Sequence, residues 1–304
     1  YEVELTNILE KKRECLQYFL VGCLRNSLFS VKNNLSEKLQ EALPAPFPVL
    51  LNNPLGLKLA LLAHRIKHRW QLKRILAAHD KYVLLTPPNR EELAYFVGDY
   101  KNEKVDCLPN SIPAVFPDSL QQKEKIILHV GRLNTAQKRS DLLLKAWEKL
   151  ADQLPDWRMI VVGDGPYYQE MSKIIAEKQI PRISLEGYQK PEPYYQRAGI
   201  FLMTSAYEGF PNVILEAQSY GCVPVAYDSY PALSWIVNDQ EDARLVPAYD
   251  GEEMTSRVVA LASNVEQLKV MQQNALNNAR QFTIEEVGQQ WLRFFERNGI
   301  NINL

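Results

Sequence analysis

The sequence predicts an α/β fold built on doubly wound parallel sheets, and three observations carry that expectation. Between about residues 125 and 250, short β-branched runs alternate with segments of helical periodicity. Several of these runs are apolar almost throughout, as in parallel strands buried on both faces. The length of 304 residues is about twice that of a typical domain, which favours two domains.

Taken in order, residues 9–40 read as helical. "FPVLL" (47–51) and "KYVLLT" (81–86) read as strands, with a basic helix between them. Residues 1–118 are therefore expected to form a Rossmann-like domain, an incomplete one. Glycine occurs there only at 22, 56 and 98, and no strand runs into a Gly-rich turn. "PNSIPAVFPDS" (109–119), with three prolines, reads as the linker. Six strands are then expected: "KIILHVG" (125–131), "RMIVVGDG" (158–165), "ISLEG" (183–187), "IFLMTS" (200–205), "CVPVAYD" (222–228) and "ARLVPA" (243–248). Between the first two, Leu142, Leu143, Ala146, Trp147 and Leu150 share one helical face, and Ser140 is placed to cap that helix. A second domain over 119–282 follows. A tail helix over 283–304, opened by Thr283 and Glu286 as a capping box, is expected to join the first domain.

Composition narrows the function. A net charge of −1 argues against a general nucleic-acid binder. Cys15, Cys23, Cys107 and Cys222 are widely spaced, with no CxxC pair. They read as reduced thiols in a cytoplasmic protein rather than a disulfide framework or zinc site. No apolar run reaches 18 residues, so no transmembrane helix is expected. The chain opens at Tyr1 rather than Met, which leaves an upstream targeting segment open.

The chemistry concentrates in "SAYEGFPNVILEAQSYG" (205–221). A strand runs into a bend and a helix follows. Pro211 suits the first helical turn, Gly221 sits where the helix should end, and Gly209 permits close backbone approach. The amides of about residues 212–214 and the helix dipole then favour an anion such as a diphosphate. Glu208 precedes the bend, and Glu216 lies roughly 7–8 Å along the helix axis. Its side chain leans back toward the same pocket. Two carboxylates would repel phosphate directly, so they suit hydroxyls on either side of it. A nucleotide-sugar presents that pattern. Arg132 and Lys138 follow the strand 125–131, where two cations can stabilise a departing diphosphate. No D-x-D motif occurs, so metal bridging of the phosphates is not indicated, and no cofactor is expected.

The E-x7-E of "EGFPNVILE" resembles the signature of the retaining glycosyltransferases of family 4 (group 1), which have the two-Rossmann-domain GT-B fold. The resemblance covers about 120–250. "GRLNTAQKRSDLLLKAW" is similar to the family's diphosphate-binding segment, and "VVGDGP", "LEGY" and "GCVPVAYD" follow in the family's order. It implies that Arg132 and Lys138 hold the diphosphate, Glu216 the ribose and Glu208 the transferred sugar. Gly163, Gly209, Phe210, Pro211, Asn212 and Val213 would line the donor, with backbone near Ile183 touching the base. It also implies transfer of a hexose from an NDP-sugar, UDP ahead of GDP, to a glycan or lipid-linked acceptor in surface polysaccharide synthesis. Two family features have no match: a Gly-rich loop near the start, and an amino-terminal histidine, where "VLLNNPLG" (49–56) offers Leu51, Asn52 and Asn53. A sugar-nucleotide epimerase of the same fold, or a non-catalytic donor-binding subunit, are the alternatives. His129 reads as a packed core residue, "GDGP" as a turn or a donor contact, and "NDQED" (238–242) as a solvated loop.

Residues 42–79 contain no acid but six cations, Lys58, Arg65, Lys67, Arg69, Lys73 and Arg74, with His64, His68 and His79. Within 57–76, Leu59, Leu62, Ile66, Trp70 and Lys73 share one helical stripe. This helix either covers the amino-terminal sheet or lies peripherally on an anionic membrane.

Overall fold

The computed structural model describes residues 19–24, 27–29, 53–100, 102–113, 115–117 and 122–300. The strand expected at 47–51 and most of the helix expected over 9–40 lie outside the described residues. The chain divides into two compact units, Tyr1–Pro109 and Asn110–Leu304. The division falls inside the proline-rich segment, earlier than the expected 118.

The first unit contains a parallel sheet in the order β1 (Val21–Cys23), β2 (Lys81–Leu84), β3 (Val105–Cys107). Strand β1 lies where a helix was expected. Pairing with β2 overrides the local pattern, and Gly22 packs so closely that a Cβ there would sit 2.6 Å from the Tyr82 ring. Helix α1 (Pro54–Ala78) is capped by Asn53, whose Oδ1 accepts from the amides of Leu55 and Gly56. Helix α2 (Asn89–Val97) follows β2. Leu72 and Ile75 of α1 join Leu84, Leu93, Phe96 and Val105 in the core, and His64 and His68 lie against Phe96. Of the two readings of the stripe, packing against the sheet is not met by its apolar residues. Leu59 (57%), Leu62 (52%), Ile66 (61%) and Trp70 (62%) are exposed.

The second unit is a six-stranded, all-parallel sheet in the order β6-β5-β4-β7-β8-β9. The strands are β4 (Glu124–Val130), β5 (Arg158–Val162), β6 (Ile183–Gly187), β7 (Ala198–Met203), β8 (Val223–Asp228) and β9 (Arg244–Pro247). All six fall where the sequence placed them, each start within two residues. Their connections carry α3 (Ser140–Gln153), α4 (Tyr168–Lys178), α5 (Glu192–Arg197), α6 (Asn212–Ser219) and α7 (Leu233–Ile236). After β9 come α8 (Gly251–Ser263), α9 (Val265–Arg280) and α10 (Ile284–Arg297). Leu143, Ala146, Trp147 and Leu150 are buried against the sheet as the α3 periodicity requires, with Leu142 partly buried beside them. Ser140 does not cap α3. It is the first helical residue, and its Oγ accepts from the Asn134 amide.

Helix α10 groups with this second unit rather than the first, contrary to expectation. Its entry is fixed there, because Ile112 donates to Phe282 and accepts from Ile284. Thr283 caps α10 by accepting from the Glu286 amide at 3.2 Å.

Strand order reverses between β4 and β7: β4 leads outward to β5 and β6, whereas β7 leads the other way to β8 and β9. The loops at the carboxyl ends of β4 and β7 therefore part at the switch point, where open α/β sheets bind ligands. The loop after β5 supports the one after β4. Gly163 has φ +147, and a Cβ on it would lie 1.9 Å from the Gly131 carbonyl oxygen; a Cβ on Gly165 would lie 2.3 Å from that of Leu133. The Leu133 amide donates to Asp164, and the Tyr167 amide to Leu133. Gly163→Ala should accordingly cost on the order of 3 kcal/mol, since backbone rather than a flexible side chain must give way. The urea midpoint measures this, and an unchanged midpoint refutes the packing role.

Candidate functional site at the β4–β7 switch point

The loop after β4 is folded by Asn134. Its Oδ1 accepts from the amides of Gln137 and Lys138, at 2.8 and 2.9 Å. The chain then passes Arg139, at φ 50, whose guanidinium spans both carboxylate oxygens of Asp141. This loop is sewn to the one after β7. The Ala206 amide donates to the Gln137 carbonyl at 2.7 Å, and Thr204 Oγ1 donates to the carbonyls of Lys138 and Arg139.

The stitching brings together two of the residues expected in the site. Lys138 Nζ lies 2.7 Å from Glu208 Oε1, with the side chains only 15% and 10% exposed. Gln137 Nε2 donates to Glu208 Oε2 at 3.1 Å. Glu208 thus neutralises Lys138 and has both oxygens engaged. An ammonium has three donors, so Lys138 keeps two for an oxyanion. Arg132, in the same loop, is exposed and forms no ion pair among the described residues.

Beyond Glu208, Gly209, Phe210 and Pro211 are buried, while Asn212 and Val213 are partly exposed. Pro211 is the residue before α6 rather than within its first turn. Of the three amides expected to face an anion, two are occupied: Asn212 donates to Phe210 and Ile214 to Pro211. The Val213 amide is the remaining donor at this helix start. Asn212 Oδ1 accepts from Asn110. Helix α6 ends at Gly221, φ +76, as expected.

Glu216 is partly exposed, one and a half turns into α6. Burial pushes its carboxyl above the usual carboxylate range, opposed by the Tyr195 hydroxyl, which lies 3.2 Å from Oε2, and by the charge of Lys138. Gly163 borders the site through the loop contact described above. Ile183 does not reach it. That residue begins β6 opposite Met159, at the amino-terminal edge of the sheet, ~13 Å from the strand's other end. Tyr188, 87% exposed just past β6, occupies the carboxyl edge instead.

Asn134, Gln137 and Tyr195 were missed by sequence reasoning. Gln137 had a signal, being adjacent to Lys138; Tyr195 had none, since only the fold brings it to Glu216.

Residues 124–264, from β4 through α8, match the family model Glycosyl transferases group 1, a stretch that is less than half of the chain. Over 292 residues the chain is 25% identical to an uncharacterized glycosyltransferase of Haemophilus influenzae, covering 88% of this chain and 81% of that protein. The amylovoran biosynthesis glycosyltransferase AmsD of Erwinia amylovora is 28% identical over 219 residues, 71% of this chain and 60% of that protein. Among solved structures, Anabaena Alr3699/HepE in complex with UDP superposes with a TM-score of 0.74 at 15% identity, over 97% of this chain and 77% of that one. The fold is therefore that of the GT-B glycosyltransferases, and residues 124–264 are similar in sequence to group 1.

His129 lies in β4 just before this site. Its Nδ1 is 3.0 Å from the Leu202 carbonyl oxygen, so Nδ1 carries the proton and Nε2 is a bare acceptor. Nε2 has no partner among the described residues. Burial lowers its pKa from 6.5 to about 4. The unfolded chain binds this proton more readily, so the stabilisation is present above pH 6.5 and is lost as pH falls toward about 4. The loss should be on the order of 3 kcal/mol. The difference between wild-type and His129→Asn stability across that window isolates it; parallel curves would show that His129 does not stay neutral.

Proposed function

We propose that the protein is a retaining glycosyltransferase that moves a hexose from an NDP-sugar to a glycan or lipid-linked acceptor in surface polysaccharide synthesis. The observation that carries this reading is the Lys138–Glu208 pair at the sheet's switch point, with Arg132 in the same loop and the Val213 amide at the adjoining helix start. In the reaction, the bond from the anomeric carbon to the diphosphate breaks as the acceptor oxygen bonds to that carbon. The acceptor's proton leaves with the diphosphate. Arg132 and the free donors of Lys138 take up the charge that develops on the leaving oxygen. Glu208, held by Lys138 and Gln137, accepts from hydroxyls of the transferred sugar, and Glu216 from those of the ribose. No step calls for a metal ion. UDP is favoured over GDP, in keeping with the UDP complex of the Anabaena neighbour.

Incubating the full-length chain with a panel of NDP-sugars and measuring NDP release tests this. Arg132→Ala or Lys138→Ala should lower turnover about 10²–10³-fold, the range for losing one charge-stabilising group. Near-normal turnover in both would remove the diphosphate assignment. Epimerised donor without NDP release would replace transfer by epimerisation, and inertness toward the whole panel would favour the non-catalytic subunit.

The acceptor side of the proposal rests on α1. Its apolar ridge, Leu55, Leu59, Leu62, Ile66 and Trp70, is exposed and lies away from the face packed on Phe96, with six cations and no acid along the helix. No helix among the described residues is long and apolar enough to cross a membrane. A peripheral position on the anionic inner face, in the cytoplasm, would keep a lipid-linked acceptor within reach. The chain should co-sediment with anionic liposomes at low salt and release at high salt. Binding unaffected by charge reversal of Lys67, Arg69, Lys73 and Arg74 to Glu would refute the contact.

A further inference from the structure

We infer that Tyr195 is the positioning residue of the nucleoside side: its phenol holds one oxygen of Glu216 so that the other is presented to the ribose hydroxyls. This rests on the reading of Glu216 as the ribose acceptor. The phenol lies 3.2 Å from Glu216 Oε2, and the opposite oxygen has no hydrogen-bond partner among the described residues. Glu216 lines a cavity of about 190 Å³ together with Glu192, Tyr220, Ile112, Pro113 and Val115, so the unpartnered oxygen has room for a ligand beside it.

Tyr195 is suited to this because it is immobilised at both ends. It is 1% exposed. Its ring stacks on Tyr220 at 5.9 Å and tilts against Phe201 at 6.1 Å. Its carbonyl accepts from Lys123 Nζ at 2.9 Å and Cys222 Sγ at 3.0 Å. Cys222 is fully buried and bonds also to the Ala198 carbonyl. On the other side, Ser219 Oγ donates to the Glu216 carbonyl at 2.7 Å, fixing that turn of α6. A fixed donor meeting a long, flexible carboxylate removes rotamers that would otherwise have to be frozen on binding.

The electrostatics give a readout that packing alone would not. Besides Tyr195, the charged and titratable groups facing Glu216 are Glu192 on α5 and Lys138 in the loop after β4, with Tyr220 at the end of α6. Glu192 disfavours the ionised form of Glu216, whereas Lys138 and the Tyr195 hydrogen bond favour it. Removing only the phenol oxygen therefore makes Glu216 harder to ionise. Binding that needs the carboxylate should fail at a higher pH.

The experiment is calorimetric titration of UDP into the full chain between pH 5 and 8, with Tyr195→Phe, Glu216→Gln, Glu216→Ala and the double variant Tyr195→Phe/Glu216→Ala. Tyr195→Phe should weaken UDP binding about tenfold, in line with one hydrogen bond to a charged group. Its acid limb should move to higher pH, and the donor KM should rise with little change in kcat. Glu216→Gln, which keeps an acceptor for the phenol, should lose the acid limb altogether. On the Glu216→Ala background, Tyr195→Phe should cost nothing further. Wild-type affinity and an unmoved limb in Tyr195→Phe, with Glu216→Ala still impaired, overturn the positioning role alone. A full Tyr195→Phe loss on the Glu216→Ala background overturns it in favour of packing. Unimpaired UDP binding by Glu216→Ala removes the ribose assignment, and the role of Tyr195 with it.

Discussion

The site depends on the attachment of two loops that start from neighbouring strands and then diverge. Strands β4 and β7 lie side by side, but the connections that leave them belong to opposite halves of the sheet. Nothing in parallel pairing itself holds those loops together. Thr204 Oγ1 and the Ala206 amide do so, by bonding backbone carbonyls of residues 137–139. Only with that seam closed can Lys138 and Glu208 meet at 2.7 Å while both are largely shielded from water. A pair at such burial is costly to assemble from separated ions, and its contact at 2.7 Å fixes where both side chains sit. The glycines of the loop after β5 act in the same sense from the other side, since they let two backbones touch.

The two acidic residues of the motif are held in different ways. Glu208 has one oxygen on a cation and the other on an amide donor. Glu216 is a partly exposed acid with a single neutral donor, beside another carboxylate. A repeated sequence letter thus corresponds to two unlike electrostatic environments. The first is an ion pair largely shielded from water, and the second borders a cavity with one oxygen unpartnered among the described residues.

Much of this was legible in the sequence, and the reasons for success and failure are physical. Strands β5, β7 and β8 of the second unit are buried along nearly their whole length, so their near-continuous apolar runs mark them. The bend at Glu208 and the stop at Gly221 were readable because proline and glycine restrict backbone conformation locally. Strand β1 was not readable, because three residues carry little periodicity and their state is decided by pairing with β2. Ile183 was placed in the site through family resemblance, and the register of β6 removes it to the far edge. The amides of Asn212 and Ile214 looked available from the helix start alone, yet the tight turn that sets the entry of α6 consumes them. Tyr195 was invisible, because its relation to Glu216 spans a strand and two connections and leaves no spacing to recognise.

The register of β4 against β7 has a bearing on biosynthesis. Leu128 pairs with Phe201, so the seam that unites the site joins segments separated by about seventy positions, and every contact across it must await the later strand. A nascent chain that has emerged only through β6 can complete β4, β5 and their covering helices while its cation still lacks its carboxylate. Closing such distant parallel pairs is entropically slow compared with forming local helices. The Lys138–Glu208 pair is consequently one of the last features this chain completes, and its appearance marks the moment when the two halves of the sheet have become one.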